Sequence, residues 1–400
     1  MVVRHLQALT RRRLGAALIA LGAGGVSAHD IAAPHGAAQD VTAPHRAAAR
    51  VAATPAAQDI TVPAGFRIDV FADKLGGVRS LAVDTDGVLL ASLTAPGRVV
   101  ALPDRRGLGR ATDVVTVVKD LELPHGLVVR AGYLYVAETG RIVRYRYDPL
   151  ALSAVEPTVV VAGLPHAGHH WTRSIAFGPD DRLYVAIGSS CDVCEERDPR
   201  RATIMRYRAD GSGAERFASG LRNPVGLAFH PKTRALWTTV NERDWPGGGA
   251  PPDYVTEVRR SAAYGWPRCF AARHTFRPDP TLTDAGDCRG LTLPSIELPP
   301  HAAPLGLAVY TGAQFPPEYA GNLLVALHGS RAGLPPSGYK ITRIRLRGGR
   351  ALGLEDFSTG WRQSDRVLGR PVDLAVGRDG SLYVSDDHGD RIHRVTYAAR

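Results

Sequence analysis

The segment VDLAVGRDGSLYVSDD, residues 372–387, decides the fold. It consists of an apolar strand, a turn rich in Gly and Asp, and a second apolar strand, which together indicate an antiparallel hairpin. The same pattern occurs five more times, as RSLAVDTDGVLLAS (79–92), HGLVVRAGYLYVAE (125–138), RSIAFGPDDRLYVAIG (173–188), VGLAFHPKTRALWTTV (225–240) and LGLAVYTGAQFPPEYAGNLLVAL (305–327). This recurrence predicts a repeat protein built from one strand-turn-strand unit.

The spacing of the repeats indicates a closed ring of blades. Equivalent apolar positions recur at intervals of 46, 48, 52, 80 and 67 residues, at Leu81, Leu127, Ile175, Leu227, Leu307 and Leu374. A third strand often follows, as in GRIVRYRY (140–147) and DRIHRVTY (390–397). A ring buries the faces of each unit against its neighbours and removes exposed edges, and a β-sandwich does not repeat one unit six times. We therefore predict an all-β fold, a six-bladed β-propeller, over residues 58–400.

The N-terminus has the layout of an export signal. Arginines at positions 11–13 precede an apolar run, residues 14–26, and Val-Ser-Ala ends at residue 28. We predict a signal peptide over residues 1–28, whose arginines also resemble a twin-arginine signal, and a flexible Ala/Pro/His-rich linker over residues 29–57. An uncleaved anchor is the alternative, although the run is short for a membrane span. We expect a periplasmic or secreted protein without a stable membrane span after processing.

Four cysteines in an exported protein are expected to pair, here as Cys191–Cys194 and Cys269–Cys288. The first pair forms a C-x-x-C, but Glu195 stands where haem attachment requires histidine, and the second pair is not spaced as a zinc knuckle. Catalytic thiol pairs begin a helix, and none follows here. We interpret Cys191–Cys194 as a staple that fixes its loop near whatever the loop contacts.

Composition and charge narrow the class of ligand. The chain has 43 glycines and 29 prolines, too many for a helical protein, and a net charge of +10. Residues 1–57 carry six Arg against two Asp, which leaves +6 for the propeller. Its basic residues alternate with acids and lack interleaved aromatic residues, so we expect no nucleic-acid partner. An acidic ligand bound among arginines fits this charge better.

The loops that enter the first strand of each blade meet at one mouth of the channel, where propellers bind ligands. Basic or amide residues stand at this place in five repeats, namely Arg79, His125, Arg173, Arg222 with Asn223, and Arg370. Such a cluster predicts an anion, either a multi-carboxylate or a phosphate ligand. Arg79 and Arg173 can instead pair with an Asp of a neighbouring blade.

Several segments carry a family resemblance. GLPHAGHHWTRSIAFGPDDRLYVAIGSSCDVCEE, GLRNPVGLAFHP, AAYGWPRC, GNLLVALHGSRAGLPPSGYKITRI and GRPVDLAVGRDGSLYVSDD resemble the soluble quinoprotein sugar dehydrogenases, and most closely their sorbosone and pyranose dehydrogenase branch. The resemblance covers nearly all of residues 60–398. It implies a six-bladed propeller that binds pyrroloquinoline quinone (PQQ), which carries three carboxylates and an ortho-quinone, together with Ca²⁺.

The resemblance also implies roles for individual residues. His170 matches the catalytic base, which takes a proton from a sugar hydroxyl while hydride moves to the quinone. His169 stands where the glucose enzymes have an acid that orients the base. Arg222 and Asn223 match the pair that contacts the quinone oxygens, and Arg222 stabilises charge in the reaction.

Three further residues are implied as cofactor ligands. Lys340 and Arg370 match contacts of the cofactor carboxylates, and His328 lies in a loop expected to face the same pocket. With Arg79 and His125 from the mouth, they complete the predicted cofactor set. The related sequences show Trp-Asn-Arg after His-Gly-Ser, whereas this chain has Arg331-Ala332, so the role of Arg331 stays open.

Calcium is implied at the loop VNERDWPGG, residues 240–248. In the family two backbone carbonyls and the cofactor supply ligands, and the matching carbonyls are those of Glu242 and Arg243. Hard oxygen ligands on a flexible loop suit Ca²⁺. Asp244 or Asn241 can add a side-chain oxygen, although a solvated acidic turn is an equal alternative.

The sequence therefore predicts a PQQ- and calcium-dependent dehydrogenase of a sugar or sugar-derived aldehyde. Because the chain lacks the C-x-x-C-H motif of haem attachment, we expect electrons to leave to a separate quinone or cytochrome acceptor. Two alternatives remain. One is a calcium-dependent lactonase-like hydrolase, which would need several carboxylates around its metal, and the other is a non-catalytic ligand-binding propeller.

Overall fold

The computed structural model describes residues 59–244, 250–282 and 286–398. The predicted signal peptide (1–28) and linker (29–57) lie outside the described residues. In the part of the chain that the structure describes, no helix is long and apolar enough to cross a membrane.

Six four-stranded antiparallel sheets follow one another along the chain, which confirms the six-bladed propeller. Strand β1 (Phe66–Asp73) belongs to the last blade. From the channel outward, blade 1 contains β2 (Val78–Val83), β3 (Leu89–Leu93), β4 (Arg98–Leu102) and β5 (Val115–Val118). Blade 2 contains β6 (Leu127–Arg130), β7 (Tyr133–Ala137), β8 (Ile142–Asp148) and β9 (Ser153–Val161). Blade 3 contains β10 (Arg173–Phe177), β11 (Leu183–Ile187), β12 (Thr203–Tyr207) and β13 (Glu215–Ser219).

Blades 4 and 5 carry insertions, which account for the two longest intervals between repeats. Blade 4 contains β14 (Asn223–Phe229), β15 (Leu236–Asn241), β16 (Tyr254–Val258) and β19 (Ile296–Glu297), with an added hairpin of β17 (Cys269–Ala272) and β18 (Thr275–Pro278). Blade 5 contains β20 (Pro304–Val309), a 3-10 helix (Pro317–Tyr319), β21 (Leu323–Leu327), β22 (Lys340–Arg347) and β23 (Arg350–Ser358).

The last blade joins the two ends of the propeller. A small hairpin, β24 (Arg362–Gln363) and β25 (Arg366–Val367), leads to β26 (Pro371–Val376), β27 (Leu382–Asp386) and β28 (Arg391–Tyr397). Strand β1 pairs with β28 as the fourth strand, with Phe66 opposite Tyr397. Pairing a strand from the start of the propeller with strands from its end closes the ring, so that no blade is left with an open face.

The six equivalent apolar positions from the sequence all lie on the first strand of a blade and line a central cavity of about 110 Å³. The first strands approach very closely at Gly126, Gly226 and Gly306. A Cβ at Gly226 would lie 2.5 Å from the Leu305 carbonyl oxygen, and one at Gly126 would lie 2.6 Å from that of Arg173. The channel is therefore narrow, which leaves the mouth as the place for a larger ligand.

Apolar side chains between neighbouring blades form six clusters in the described residues. The cluster between blades 4 and 5, for example, contains Trp237, Val255 and Leu323, all fully buried. Each buried side chain of this size stabilises the fold by about 1.5–3 kcal/mol, so every blade depends on both neighbours.

Both predicted disulfides are present. Cys191–Cys194 closes a turn after β11, and Cys269–Cys288 begins at β17 of the inserted hairpin. The described residues contain no free cysteine.

Candidate active site

A cavity of about 280 Å³ lies at the mouth of the channel. It is formed by loops that precede first strands or follow second strands of blades 3 to 6. Nine residues named in the sequence analysis line it: His170, Arg222, Asn223, Asn241, Glu242, Asp244, His328, Arg331 and Arg370. The ring therefore brings together side chains that are up to 200 residues apart in the sequence, counting from His170 to Arg370.

The imidazole of His170 is held in one tautomer. Its Nδ1 lies 2.9 Å from the carbonyl oxygen of Ser189, which only accepts, so Nδ1 carries the hydrogen and Nε2 the lone pair. Nε2 has no hydrogen-bond partner among the described residues. Burial, assisted by the charge of Arg222, lowers the pKa of His170 from 6.5 to about 3. A neutral imidazole with a free Nε2 is the form that accepts a proton.

The backbone around His170 is shaped for close contact. His170 has φ +53°, in the left-handed region, and its carbonyl accepts a 2.9 Å hydrogen bond from Arg173 Nη1. A Cβ at Gly188 would lie 2.6 Å from the His170 Cβ and 2.4 Å from Asn223 Oδ1. Glycine at position 188 therefore permits the imidazole and the amide to converge. Arg173 stabilises this loop through hydrogen bonds to its backbone carbonyls and is not among the residues that line the cavity.

The guanidinium of Arg222 is fixed by four contacts. Its Nη1 donates to the carbonyl oxygens of Asn241 at 3.1 Å and Glu242 at 2.8 Å. Its Nε and Nη2 donate to the carbonyl and the carboxylate of Asp192, at 2.9 and 2.7 Å. Asn223, the first residue of β14, leaves Oδ1 buried without a partner among the described residues. We call His170, Ser189, Arg222 and Asn223 the base wall.

A second group of residues at the cavity is acidic. Asp253 accepts hydrogen bonds from the backbone amides of Glu242 at 2.7 Å and Ala303 at 2.8 Å. Burial raises the pKa of both Glu242 and Asp253 to about 7. Asp244 contacts Arg331 at 2.8 Å and His301 at 3.4 Å. We call Glu242, Asp244, Asp253 and His301 the acidic wall.

Arg370 and His328 form a third part of the lining. Arg370 donates to the carbonyl oxygens of Gly329 at 3.0 Å and Ser330 at 2.9 Å, and to the Tyr339 hydroxyl at 3.0 Å. His328 Nε2 lies 3.0 Å from Asp387 Oδ1.

Two of the remaining predicted cofactor residues lie beside the cavity rather than in its lining. Arg79 pairs with Asp387, the same carboxylate that His328 contacts, and its guanidinium lies 5.7 Å from the ring centre of Trp171. His125 lines the central channel, where burial and the charge of Arg79 lower its pKa to about 3. The suggested pairing of Arg79 with an Asp of a neighbouring blade is therefore present.

Lys340 and Arg243 are not brought to the cavity. Lys340 Nζ lies 2.7 Å from Asp356 Oδ1, in a separate pocket, because Lys340 begins β22 and Asp356 lies on the neighbouring strand β23. The guanidinium of Arg243 pairs with Asp279. The roles assigned to these two residues from the resemblance stay predictions.

Besides Ser189, sequence reasoning missed four titratable residues at the site: Asp192, Asp253, His301 and Asp387. His301 had a usable signal, because it precedes the first strand of blade 5 as the other mouth residues precede theirs. The other three carried none, since their partners come from distant parts of the chain.

Comparison with known proteins identifies the family. The profile of the TrAA12-like family matches residues 60–245 and 251–398. The chain belongs to the AA12-like family of soluble PQQ-dependent sugar dehydrogenases. It is 26% identical over 398 residues to the pyrroloquinoline quinone-dependent pyranose dehydrogenase of Coprinopsis cinerea, covering 82% of this chain but about half, 53%, of that enzyme. It is 29% identical over 369 residues to an uncharacterized protein of Borreliella burgdorferi, covering 86% of this chain and 93% of that protein.

Solved structures of this family share the fold. The holo form of the PQQ domain of the Coprinopsis cinerea pyranose dehydrogenase superposes with a TM-score of 0.73 at 21% identity, covering 84% of this chain and 97% of that domain. The calcium structure of the Trichoderma reesei family AA12 protein gives a TM-score of 0.74 at 19% identity, covering 85% and 97% of the two chains.

The donor set of this AA12-like protein fits a multi-carboxylate cofactor. Among the described residues, the guanidinium of Arg370 contacts carbonyl, hydroxyl and imidazole groups, so no carboxylate pairs with its charge. Arg222 lies in the same cavity. The charge of Arg222 is already paired with Asp192, so the guanidinium of Arg370 is the group that favours an anion in this cavity.

The acidic wall offers hard oxygen atoms of the kind that Ca²⁺ prefers. The Glu242 carbonyl, predicted as a ligand, already accepts a hydrogen bond from Arg222 at 2.8 Å, so a cation at that oxygen would meet a guanidinium. Glu242 and Asp244 also line the cavity, and their carboxyl groups add further oxygen atoms there.

Proposed function

We propose that this protein is a PQQ- and calcium-dependent dehydrogenase that oxidises a sugar or a sugar-derived aldehyde. The observation that carries the proposal is the arrangement of His170 beside Arg222 and Asn223 in one cavity at the mouth of a family propeller. The relatives support the class of cofactor and substrate, because one of them is the pyrroloquinoline quinone-dependent pyranose dehydrogenase of Coprinopsis cinerea. They do not specify the substrate of this protein.

His170 acts as the general base in this proposal. The Ser189 carbonyl holds the hydrogen on Nδ1, and Nε2 therefore receives the proton of the substrate hydroxyl. The lowered pKa of about 3 keeps the imidazole neutral at ordinary pH, so it is always ready to accept, although it is a weak base in the absence of ligands. A cofactor with three carboxylates in the cavity would oppose the charge of Arg222 and raise this pKa.

Arg222, Asn223 and Arg370 would hold the cofactor, with His328 lining the same cavity. PQQ, when bound, supplies an ortho-quinone that accepts two electrons from the substrate. Arg222 stabilises negative charge that develops near it because its guanidinium is already fixed by Asp192 and two carbonyls and does not reorganise. Glu242 and Asp244 would bind Ca²⁺ through oxygen atoms.

The cellular setting forms part of the proposal. The export-signal layout of residues 1–28 and the two disulfides support a periplasmic or secreted location. Electrons would then pass to a separate quinone or cytochrome acceptor.

One observation favours a second candidate, a calcium-dependent lactonase-like hydrolase. Three acidic residues, Glu242, Asp244 and Asp253, line the cavity, and such a hydrolase needs several carboxylates around its metal. The guanidinium of Arg370 counts against it, because it pairs with no carboxylate among the described residues and a calcium-dependent hydrolase needs no such anion-binding group.

The two candidates are separated by one reconstitution. Purified protein is mixed with PQQ and Ca²⁺, and its absorbance spectrum and reduction of an artificial dye are followed with a panel of aldoses and sugar aldehydes. If the protein is the proposed dehydrogenase, dye reduction should require both PQQ and Ca²⁺. Lactone hydrolysis with Ca²⁺ alone, and no dye reduction, would establish the hydrolase instead.

A further inference from the structure

The turn closed by the Cys191–Cys194 disulfide contacts two residues of the base wall, Ser189 and Arg222. It follows β11, and its four residues are each partly exposed rather than buried. The disulfide ties the two ends of this turn together.

Asp192, inside the disulfide-closed turn, makes two of the four contacts that fix Arg222. Its carbonyl oxygen accepts from Arg222 Nε at 2.9 Å, and its Oδ1 accepts from Nη2 at 2.7 Å. The side chain of Arg222 is only 6% exposed, whereas that of Asp192 is 42% exposed. Asp192 is the one carboxylate paired with Arg222 among the described residues.

The same residue links two other loops to the turn. The Asp244 backbone amide donates to Asp192 Oδ1 at 3.2 Å, and Trp266 Nε1 donates to the Asp192 carbonyl at 3.3 Å. One aspartate therefore contacts Arg222 and the loop that carries the acidic wall. Displacement of Asp192 would loosen both sides of the cavity together.

The turn also contacts His170, through Ser189. The Ser189 hydroxyl donates to the Cys191 carbonyl at 2.7 Å, and its oxygen lies 3.0 Å from His170 Nδ1. The neighbouring Ser190 is held separately by Glu196, at 2.7 Å from Oγ to Oε2. The position of the Cys191 carbonyl thus determines how the Ser189 hydroxyl is turned toward the imidazole.

We propose that the disulfide-closed turn Cys191–Cys194 is the positioning element of the active site, with Asp192 as the positioning residue of Arg222. This inference rests on the proposed function, because it assigns Arg222 and His170 to the reaction. Neither Asp192 nor the disulfide touches the substrate or the cofactor in this assignment. They act through the guanidinium and, by way of Ser189, through the imidazole.

The covalent closure matters because the turn is exposed and short. A four-residue turn without regular hydrogen bonds samples several shapes, and a disulfide restricts that freedom. The stabilisation of the whole fold by so small a loop is modest, so the effect of its removal is expected at the site rather than in global unfolding. The Cys269–Cys288 disulfide closes a longer segment of 19 residues and provides the contrast.

The test compares Asp192→Ala and Asp192→Asn with Asp287→Asn. Asp287 is a matched control, because it lies beside Cys288 of the second disulfide and, among the described residues, its carboxylate pairs with the nearby Arg289 alone. In Asp192→Ala we expect PQQ affinity and kcat each to fall about tenfold, with KM for the sugar little changed, and in Asp192→Asn a smaller loss because an acceptor oxygen remains. Asp287→Asn should match the wild type.

A second readout does not depend on activity. In hydrogen exchange of the protein without cofactor, Asp192→Ala should increase exchange of residues 241–244, since the Asp244 amide loses its acceptor. The double variant Cys191→Ala/Cys194→Ala should do the same and should lower PQQ affinity. The double variant Cys269→Ala/Cys288→Ala should lower the melting temperature more and leave PQQ affinity and kcat unchanged.

The outcomes separate this inference from the proposed function. A wild type that binds no PQQ would overturn the function, whereas a functional wild type with unchanged PQQ affinity, kcat and exchange in Asp192→Ala would overturn the positioning role. If Asp192→Ala does not fold, Asp192→Asn decides the same question, and a value equal to the wild type in all three measurements counts against the proposal.

Discussion

In both the base wall and the acidic wall burial disfavours charge, but it removes a proton from the first and retains protons on the second. The base wall holds its imidazole neutral, because burial and the charge of Arg222 disfavour a proton on His170. The acidic wall holds its carboxyls partly protonated near pH 7, because burial disfavours the charge on Glu242 and Asp253. A multi-carboxylate cofactor would favour the positive charge on His170, and a divalent cation would favour the negative charge on Glu242 and Asp253. Each wall therefore suits a different part of a PQQ–calcium pair.

Substitution of the base should have the largest effect and should act on the base wall alone. In His170→Ala the reductive step should slow by about 10²–10⁴-fold, while PQQ affinity stays nearly unchanged, because the imidazole meets the substrate hydroxyl. His166→Ala is the matched control, since His166 is an exposed histidine of the same loop and does not line the cavity. Rapid-reaction measurement of cofactor reduction in the reconstituted variants checks this, and equal rates in His170→Ala and wild type would remove His170 from the mechanism.

A comparison of Arg370 with Lys340 tests which cations hold the cofactor. Arg370→Ala should weaken PQQ binding by about 1.5–3 kcal/mol, the usual worth of a hydrogen bond to a charged group. Lys340→Ala should have a smaller effect, because Lys340 pairs with Asp356 in a separate pocket. Titration calorimetry with PQQ in the presence of Ca²⁺ measures both. An equal loss in the two variants would show that Lys340 turns toward the cofactor, as the family resemblance implies.

The acidic wall should respond to Ca²⁺ rather than to PQQ alone. Glu242→Gln should reduce the rise in melting temperature that Ca²⁺ causes in the wild type, because one hard oxygen ligand loses its charge. Glu257→Gln, on strand β16 of the same blade, is the control and should keep the full calcium effect. Scanning calorimetry with and without Ca²⁺ gives the answer, and a wild-type calcium shift in Glu242→Gln would exclude this carboxyl as a ligand.

The smallest predicted effect is that the His170 imidazole does not titrate near pH 6.5. In the protein without cofactor, His170 should stay neutral as the pH falls through 6.5, the ordinary value, and should gain a proton only toward pH 3. Because the unfolded chain protonates first, the contribution of His170 to stability is present above pH 6.5 and is lost as the pH falls toward 3. NMR of the imidazole checks this. Arg222→Ala should raise the pKa, and a His170 signal that titrates near 6.5 in the wild type would contradict the account.

The propeller itself was predictable because each blade repeats the same local pattern. All six equivalent apolar positions fall on first strands, and the third strands seen in GRIVRYRY and DRIHRVTY correspond to β8 and β28. The pairing of β1 with β28 in the last blade could not be predicted from the sequence, since Phe66–Asp73 has the alternating pattern of any strand. Local periodicity thus predicts the blades, and only the closed structure shows how their ends meet.

The site was predictable only in part, for a physical reason. His170, Arg222 and Arg370 precede first strands, a place that the repeats locate. Asp192 and Asp253 act through partners 30 and 50 residues away, at Arg222 and Ala303, and their chemistry depends on burial that the sequence alone does not specify. Lys340 shows the converse, because a matching motif did not bring its ammonium group into the cavity in this structure.

The most direct test of the account is a calorimetric titration of the wild-type protein with PQQ, carried out with Ca²⁺ and repeated with a chelator in place of Ca²⁺. The account predicts binding of one PQQ per chain with Ca²⁺ and much weaker binding without it, since the acidic wall then lacks the cation that links it to the cofactor. Absence of PQQ binding in the presence of Ca²⁺ would contradict the central claim that this cavity holds the cofactor.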